Sequence, residues 1–141
     1  MAEVVNQQRQ IPLNVTDISL FADRVVREVR ETRNRLPAIA FVDDSEMRRL
    51  NLDFRKKDST TDVLSFRYLD EKFEKGDSLG DIVISAEQAA RQANEHGIEL
   101  ELEIKQLILH GILHLCGFDH ETDQGEMNAR ELELRETLLI A

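Results

Sequence analysis

Between Leu107 and Cys116 the chain is apolar on nearly every side of a helix, and the exceptions are His110 and His114. A helix with no polar face must lie inside a domain, so the remaining elements have to wrap around it. At about 100° per residue the two histidines sit one turn apart on the same face, where both imidazoles can converge on one point. Burying two polar rings without a partner is costly, and a metal ion partners both at once. Gly117 can reverse the chain after this helix, which brings His120 back towards the same face. Three neutral imidazoles suit zinc and leave a fourth tetrahedral position open, as in catalytic sites. The spacing therefore predicts one Zn2+ per chain held by His110, His114 and His120. Core histidines bonded to backbone are the alternative, and the ligand spacing weighs against it. Cys116 points to another side of the helix and is expected to be a core thiol. His96, just before Gly97, reads as a cation or cap at a helix C-terminus.

A length of 141 residues fits one domain spanning 1–141, and a single cysteine forbids an internal disulfide. The N-terminal residues contain no apolar signal region and no stretch approaches a membrane span, so cytoplasm is the expected compartment. With 18 Lys+Arg against 28 Asp+Glu the net charge is -10, which argues against a protein that coats nucleic acid by charge. Arg48, Arg49, Arg55, Lys56 and Lys57 nevertheless cluster, with Asp53 as the sole acid among them, and predict a local basic patch.

Around the central helix the pattern alternates irregularly between strand and helix. Pro12 to Val15 reads as a short strand. A helix follows with Phe21, Ala22, Val25, Val26, Val29 and Leu36 on its apolar side, ending at Pro37. Ala38–Val42 is a buried strand, and Asp43, Asp44 and Ser45 offer N-caps for a second helix through Met47, Leu50 and Leu52. Val63–Phe66 and Leu79–Ile84 are strands, separated by a charged connection from Asp70 to Ser78. Ser85 with Gln88 forms a capping box for a helix that stops at Gly97. Thr122 or Asp123 opens the last helix, whose stripe is Met127, Leu134 and Leu138. This order predicts an α+β domain: a mixed sheet of about four strands with about five helices, covered mainly on one side, and a metal site on the central buried helix.

The spacing His-x-x-x-His-x-x-Gly-x-x-His also occurs in metzincin proteases. The residue after the first histidine is here Gly111, where a peptidase needs Glu as general base, so peptidase chemistry lacks its proton acceptor.

The run His110-Gly111-Ile112-Leu113-His114-Leu115-Cys116-Gly117-Phe118-Asp119-His120 resembles the hallmark of the YbeY-type endoribonucleases of bacteria. Phe54-Arg55-Lys56-Lys57-Asp58, Thr61 to Phe66 and Leu79 to Ser85 are also similar to that family's blocks, so the resemblance covers nearly the whole chain. It implies a zinc-dependent, single-strand-selective endoribonuclease in 16S rRNA 3′-end maturation and ribosome quality control. Implied partners are single-stranded and ribosomal RNA and the small ribosomal subunit with its proteins, but neither DNA nor a membrane. It further implies that Arg55 acts at the active site, which makes Arg55 and His114 the candidate catalytic residues. One departure is Arg67, where the family commonly has proline. The chemistry is coherent without the resemblance. A dication with an open position can act as Lewis acid or acidify a water, and Arg55 offers a planar fork for phosphate. Asp62, Asp119 and Glu121 are candidate general bases by type. The competing class is a ribosome-assembly factor that uses the metal mainly for folding. With Tyr68 as the lone tyrosine and no tryptophan, stacking platforms for bases are sparse.

Overall fold

The computed structural model describes residues 1–67 and 78–141. In chain order the elements are β1 (Glu3–Asn6), α1 (Val15–Glu28), a 3-10 turn at Arg30–Thr32, β2 (Leu36–Val42), α2 (Asp44–Arg55) and β3 (Val63–Phe66). They continue with β4 (Ser78–Ser85), α3 (Ala86–His96), α4 (Leu100–Leu115) and α5 (Glu126–Thr137). The four strands form one mixed sheet in the order β1-β2-β4-β3, with β1, β2 and β4 parallel and β3 antiparallel to β4. The α+β expectation holds, and β3 is an edge strand.

Alternation along the strands sorts the two faces. Ile39, Phe41, Ile82 and Ile84 point to the face covered by α1 and α4, where Ile104, Ile108, Leu109, Ile112 and Leu113 are buried with Phe21, Val25 and Val29. Each such fully buried side chain contributes about 1.5–3 kcal/mol, so α4 is held from several directions at once. On the opposite face Val42 and Leu64 meet Met47 of α2 in a much smaller cluster. The sheet is thus covered mainly on one side, and the helix without a polar face occupies the middle of the larger layer.

Local capping chemistry explains most element boundaries. Asp43 accepts from the Glu46 amide at 2.8 Å to start α2, and Ser85 accepts from Gln88 to start α3. Gly97 closes α3 in the left-handed conformation, and His96 in that last turn sits 2.8 Å from Glu103 Oε1 of α4. The carboxylate of Asp44 ties α2 to the surrounding chain, accepting from Ser85 Oγ at 2.7 Å and pairing with Arg91 at 2.7 Å. The hydrogen bond from Arg91 holds its carboxyl below the usual carboxylate range against the opposing effect of burial.

Three expectations are corrected. Pro12 to Val15 is not a strand: Asn14 caps α1, accepting from the Asp17 amide at 3.1 Å, and β1 lies earlier, at Glu3–Asn6. The first helix does not run to Pro37 but ends at Glu28, because Thr32 Oγ1 donates to the carbonyls of Val26 and Val29 and turns the chain. Pro37 is the second residue of β2, at a register shift against β4, a place where a strand tolerates proline. The last helix begins at Glu126 rather than beside Asp123, whose carboxylate instead accepts from the amides of Gly125 and Met127. The connection read from Asp70 to Ser78 lies outside the described residues except for Ser78, which opens β4, and Tyr68 lies outside them too.

Candidate metal centre

Three residues of one helix and its exit loop build the site. His110 and His114 project from the side of α4 that the core does not cover, and both are half-buried. Past the helix, the Gly117 amide donates to the His114 carbonyl at 3.0 Å and the Phe118 amide donates to the Leu113 carbonyl at 3.1 Å. This paired closure needs a residue at positive φ, and Gly117 has φ +102°. Phe118 then packs on the core, and the Asp119 carbonyl accepts from the amides of Thr122 and Asp123. The result is that His120 faces back onto α4.

One ligand nitrogen from each of His110, His114 and His120 lies within 4.8 Å of the others, and the ring centroids are 4.8, 5.5 and 5.3 Å apart. Three imidazoles at this separation, open on one side to solvent, fit a dication with a free coordination position. Burial, and then the neighbouring His110 and His120, push the pKa of His114 down, which favours the neutral ring that a metal requires. Cys116 stays out of the group: it is half-buried against the core, and burial pushes its thiol up to about 11.

The histidines line a cleft of about 750 Å³ shared with Arg55, Thr61, Asp62, Ser65, Arg67, Asp119 and Glu121. Arg55, the last residue of α2, reaches the cleft from the far side of β3. The cluster of cations around it is less free than the sequence suggests. Arg48 pairs with Asp58 at 2.6 Å and Arg49 with Glu46 and Asp53, while no carboxylate among the described residues pairs with Arg55. Arg67 adds a second guanidinium to the same cleft, beside Gly117. All three candidate bases line the cleft. Asp62 is held most firmly, accepting from the Val63 amide at 2.7 Å and from Gln92 Nε2 at 3.2 Å.

A family model described as Endoribonuclease YbeY matches residues 3–139. This chain belongs to the YbeY family. A protein named Endoribonuclease YbeY from Aquifex aeolicus (strain VF5) is 52% identical over 97 residues, covering 68% of this chain and 64% of that one. A protein of the same name from Koribacter versatilis (strain Ellin345) is 41% identical over 137 residues, covering 97% of this chain and 86% of that one. The solution structure of TM1509 from Thermotoga maritima superposes with a TM-score of 0.67 at 26% identity, covering 98% of this chain and 89% of that one.

For this YbeY family member, Gly111 has a structural reason beyond the missing base. A Cβ at Gly111 would stand 3.1–3.3 Å from the Ile82 side chain, so the position faces the sheet and not the cleft. Gly111→Glu is expected to lose about 1–3 kcal/mol of stability through overpacking, read from denaturant melts, and to gain no peptidase activity. Parental stability, or turnover of unstructured protein, would contradict this.

One contact escaped the sequence reading. Glu131 of α5 places Oε1 2.7 Å from His110 Nδ1, and its Oε2 accepts from Arg135 Nη2 at 2.6 Å. Burial works against its charge, but the hydrogen bond with His110 and the Arg135 guanidinium beside it outweigh that and hold its carboxyl below the usual range. A signal existed: Glu131 falls on the Met127, Leu134, Leu138 stripe, four residues after Met127, where an apolar residue is expected.

Proposed function

We propose that this chain is a zinc-dependent, single-strand-selective endoribonuclease of the cytoplasm that acts on the 3′ end of 16S rRNA and in ribosome quality control. The observation that carries the nuclease reading is three imidazoles converging on an open cleft that also presents the guanidinium of Arg55, which no carboxylate among the described residues pairs. The names of the relatives support RNA as substrate. The ribosomal target rests on the family resemblance.

His110, His114 and His120 would hold the ion, which when bound supplies Lewis acidity towards phosphate oxygens. Arg55 and Arg67 orient the phosphodiester and neutralise its non-bridging oxygens. Asp62, Asp119 and Glu121 line the same cleft as the candidate general bases, and their negative charge also discourages phosphates from binding away from the two arginines. A single strand can follow such a concave surface, whereas a base-paired duplex is too stiff to bend into it. The net charge of -10 is compatible with this division: affinity is local to the cleft, and contacts with ribosomal proteins add to it. Among the described residues no helix is long and apolar enough to cross a membrane.

The purified protein is expected to carry about one zinc per chain, to cleave single-stranded RNA in preference to duplex, and to lose that cleavage on chelation and regain it with zinc. Chelator-resistant cleavage, or a zinc-loaded protein that cleaves no RNA, would overturn the reading, the latter in favour of an assembly factor with a structural metal.

A further inference from the structure

We infer that Glu131 is a positioning residue of the metal centre, fixing His110 in the tautomer that presents Nε2 to the ion; this rests on the metal reading above. An ionised carboxylate is acceptor-only, so the 2.7 Å contact between Glu131 Oε1 and His110 Nδ1 requires the proton to sit on Nδ1 in the neutral ring. The lone pair is then on Nε2. The carboxylate also restrains rotation of the ring and increases its basicity as a ligand.

The surroundings favour this role over an ordinary helix-surface ion pair. Pairing with Arg135 at i,i+4 alone could be met on the wet side of α5. Instead the Glu131 side chain is 12% exposed, on the same stripe as the buried Met127 and Leu134, where a carboxylate is tolerated only with full hydrogen bonding. Its two oxygens divide the work: Oε1 meets the imidazole and Oε2 meets the Arg135 guanidinium. The helix that carries it is itself braced. Arg130 bonds Glu31 through two nitrogens at 2.9 and 3.1 Å, fastening α5 to the turn after α1. A carboxylate on a fastened helix can set a ring orientation that one on a loop cannot.

The test compares wild type, Glu131→Ala, Glu131→Gln and, as a control on the exposed side of the same helix, Glu136→Gln. Zinc affinity is read by competition with a chromophoric chelator. The His110 tautomer is read by long-range 15N NMR on metal-free protein at a pH where imidazole is neutral. Metal-free melting curves monitor folding. Glu131→Ala is expected to bind zinc about 10–100-fold more weakly. Glu131→Gln, which keeps an acceptor oxygen without the charge, should fall between, and Glu136→Gln should match wild type. His110 in the wild type should be the Nδ1–H tautomer and should shift towards a mixture in Glu131→Ala. If the alanine variant does not fold, the near-isosteric glutamine variant decides. Wild-type zinc affinity in both Glu131 variants, or an Nε2–H His110 in the metal-free wild type, overturns the inference. A wild-type chain that binds no zinc overturns the metal reading instead, and the tautomer measurement still decides what Glu131 does to His110.

Discussion

His114→Ala is expected to yield a folded protein that holds no zinc after gel filtration and shows no RNA cleavage above background. The three ring centroids form a nearly equilateral triangle with sides of 4.8, 5.3 and 5.5 Å, so the loss of His114 leaves two imidazoles that do not enclose the ion. Structural damage should be small. The core side of α4 is made by Leu113, Leu115 and their neighbours, His114 itself is only half-buried, and alanine is the best helix former. Metal analysis, melting curves with and without chelator, and cleavage of single-stranded RNA check the three parts. If the variant keeps one equivalent of zinc, the ligand assignment is wrong. If the variant and the chelated wild type both lose their fold, the ion is a folding element and the assembly-factor reading gains.

How much of this was legible in the sequence depended on how local the physics was. The central helix, its glycine exit and the capping residues Asp43 and Ser85 could be read because each is decided within a few residues. β1 could not. Its Glu3–Asn6 segment is mostly exposed, carries only Val4 and Val5 as apolar residues, and exists because it pairs in parallel with Ala38–Phe41, more than thirty residues away. The apolar Pro12-Leu13 that resembled a strand instead leads into the Asn14 cap. The overlong first helix has a related cause. Val29 keeps the helical period and is fully buried although it lies past the last helical residue, so periodicity alone could not see the stop imposed by Thr32.

The site shows the same division. The three histidines sit in one window, and their convergence follows from helix geometry plus one left-handed glycine. Charge was harder to read, since a run of arginines looks basic whatever its partners. Surface carboxylates at Asp58, Glu46 and Asp53 engage Arg48 and Arg49 and leave Arg55 as the cleft-facing guanidinium of α2. Arg67 was visible only as a departure from the family pattern, and the fold places it in the cleft. Glu131 was the informative anomaly: a carboxylate on an otherwise apolar stripe marks a buried polar partner, here His110.

Arg55→Ala separates catalysis from mere metal binding. Arg55 is exposed at the end of α2, in neither the histidine group nor the core, so its truncation should change stability by no more than about 0.5 kcal/mol. Zinc content should equal that of wild type, because the ligand set lies on α4 and its exit loop. If its guanidinium meets charge that grows on the phosphate oxygens in the transition state, single-turnover cleavage of single-stranded RNA should slow on the order of 100-fold, the scale for losing one preorganised donor. Arg55→Lys should recover part of that loss, since an ammonium supplies the charge but not the planar fork. Arg67 sharpens the comparison: it lines the same cleft, so the Arg55→Ala variant retains one guanidinium and should keep RNA binding better than it keeps rate. A folded, zinc-loaded Arg55→Ala protein that cleaves at the wild-type rate removes Arg55 from the active site and moves the balance to a non-catalytic role on the ribosome.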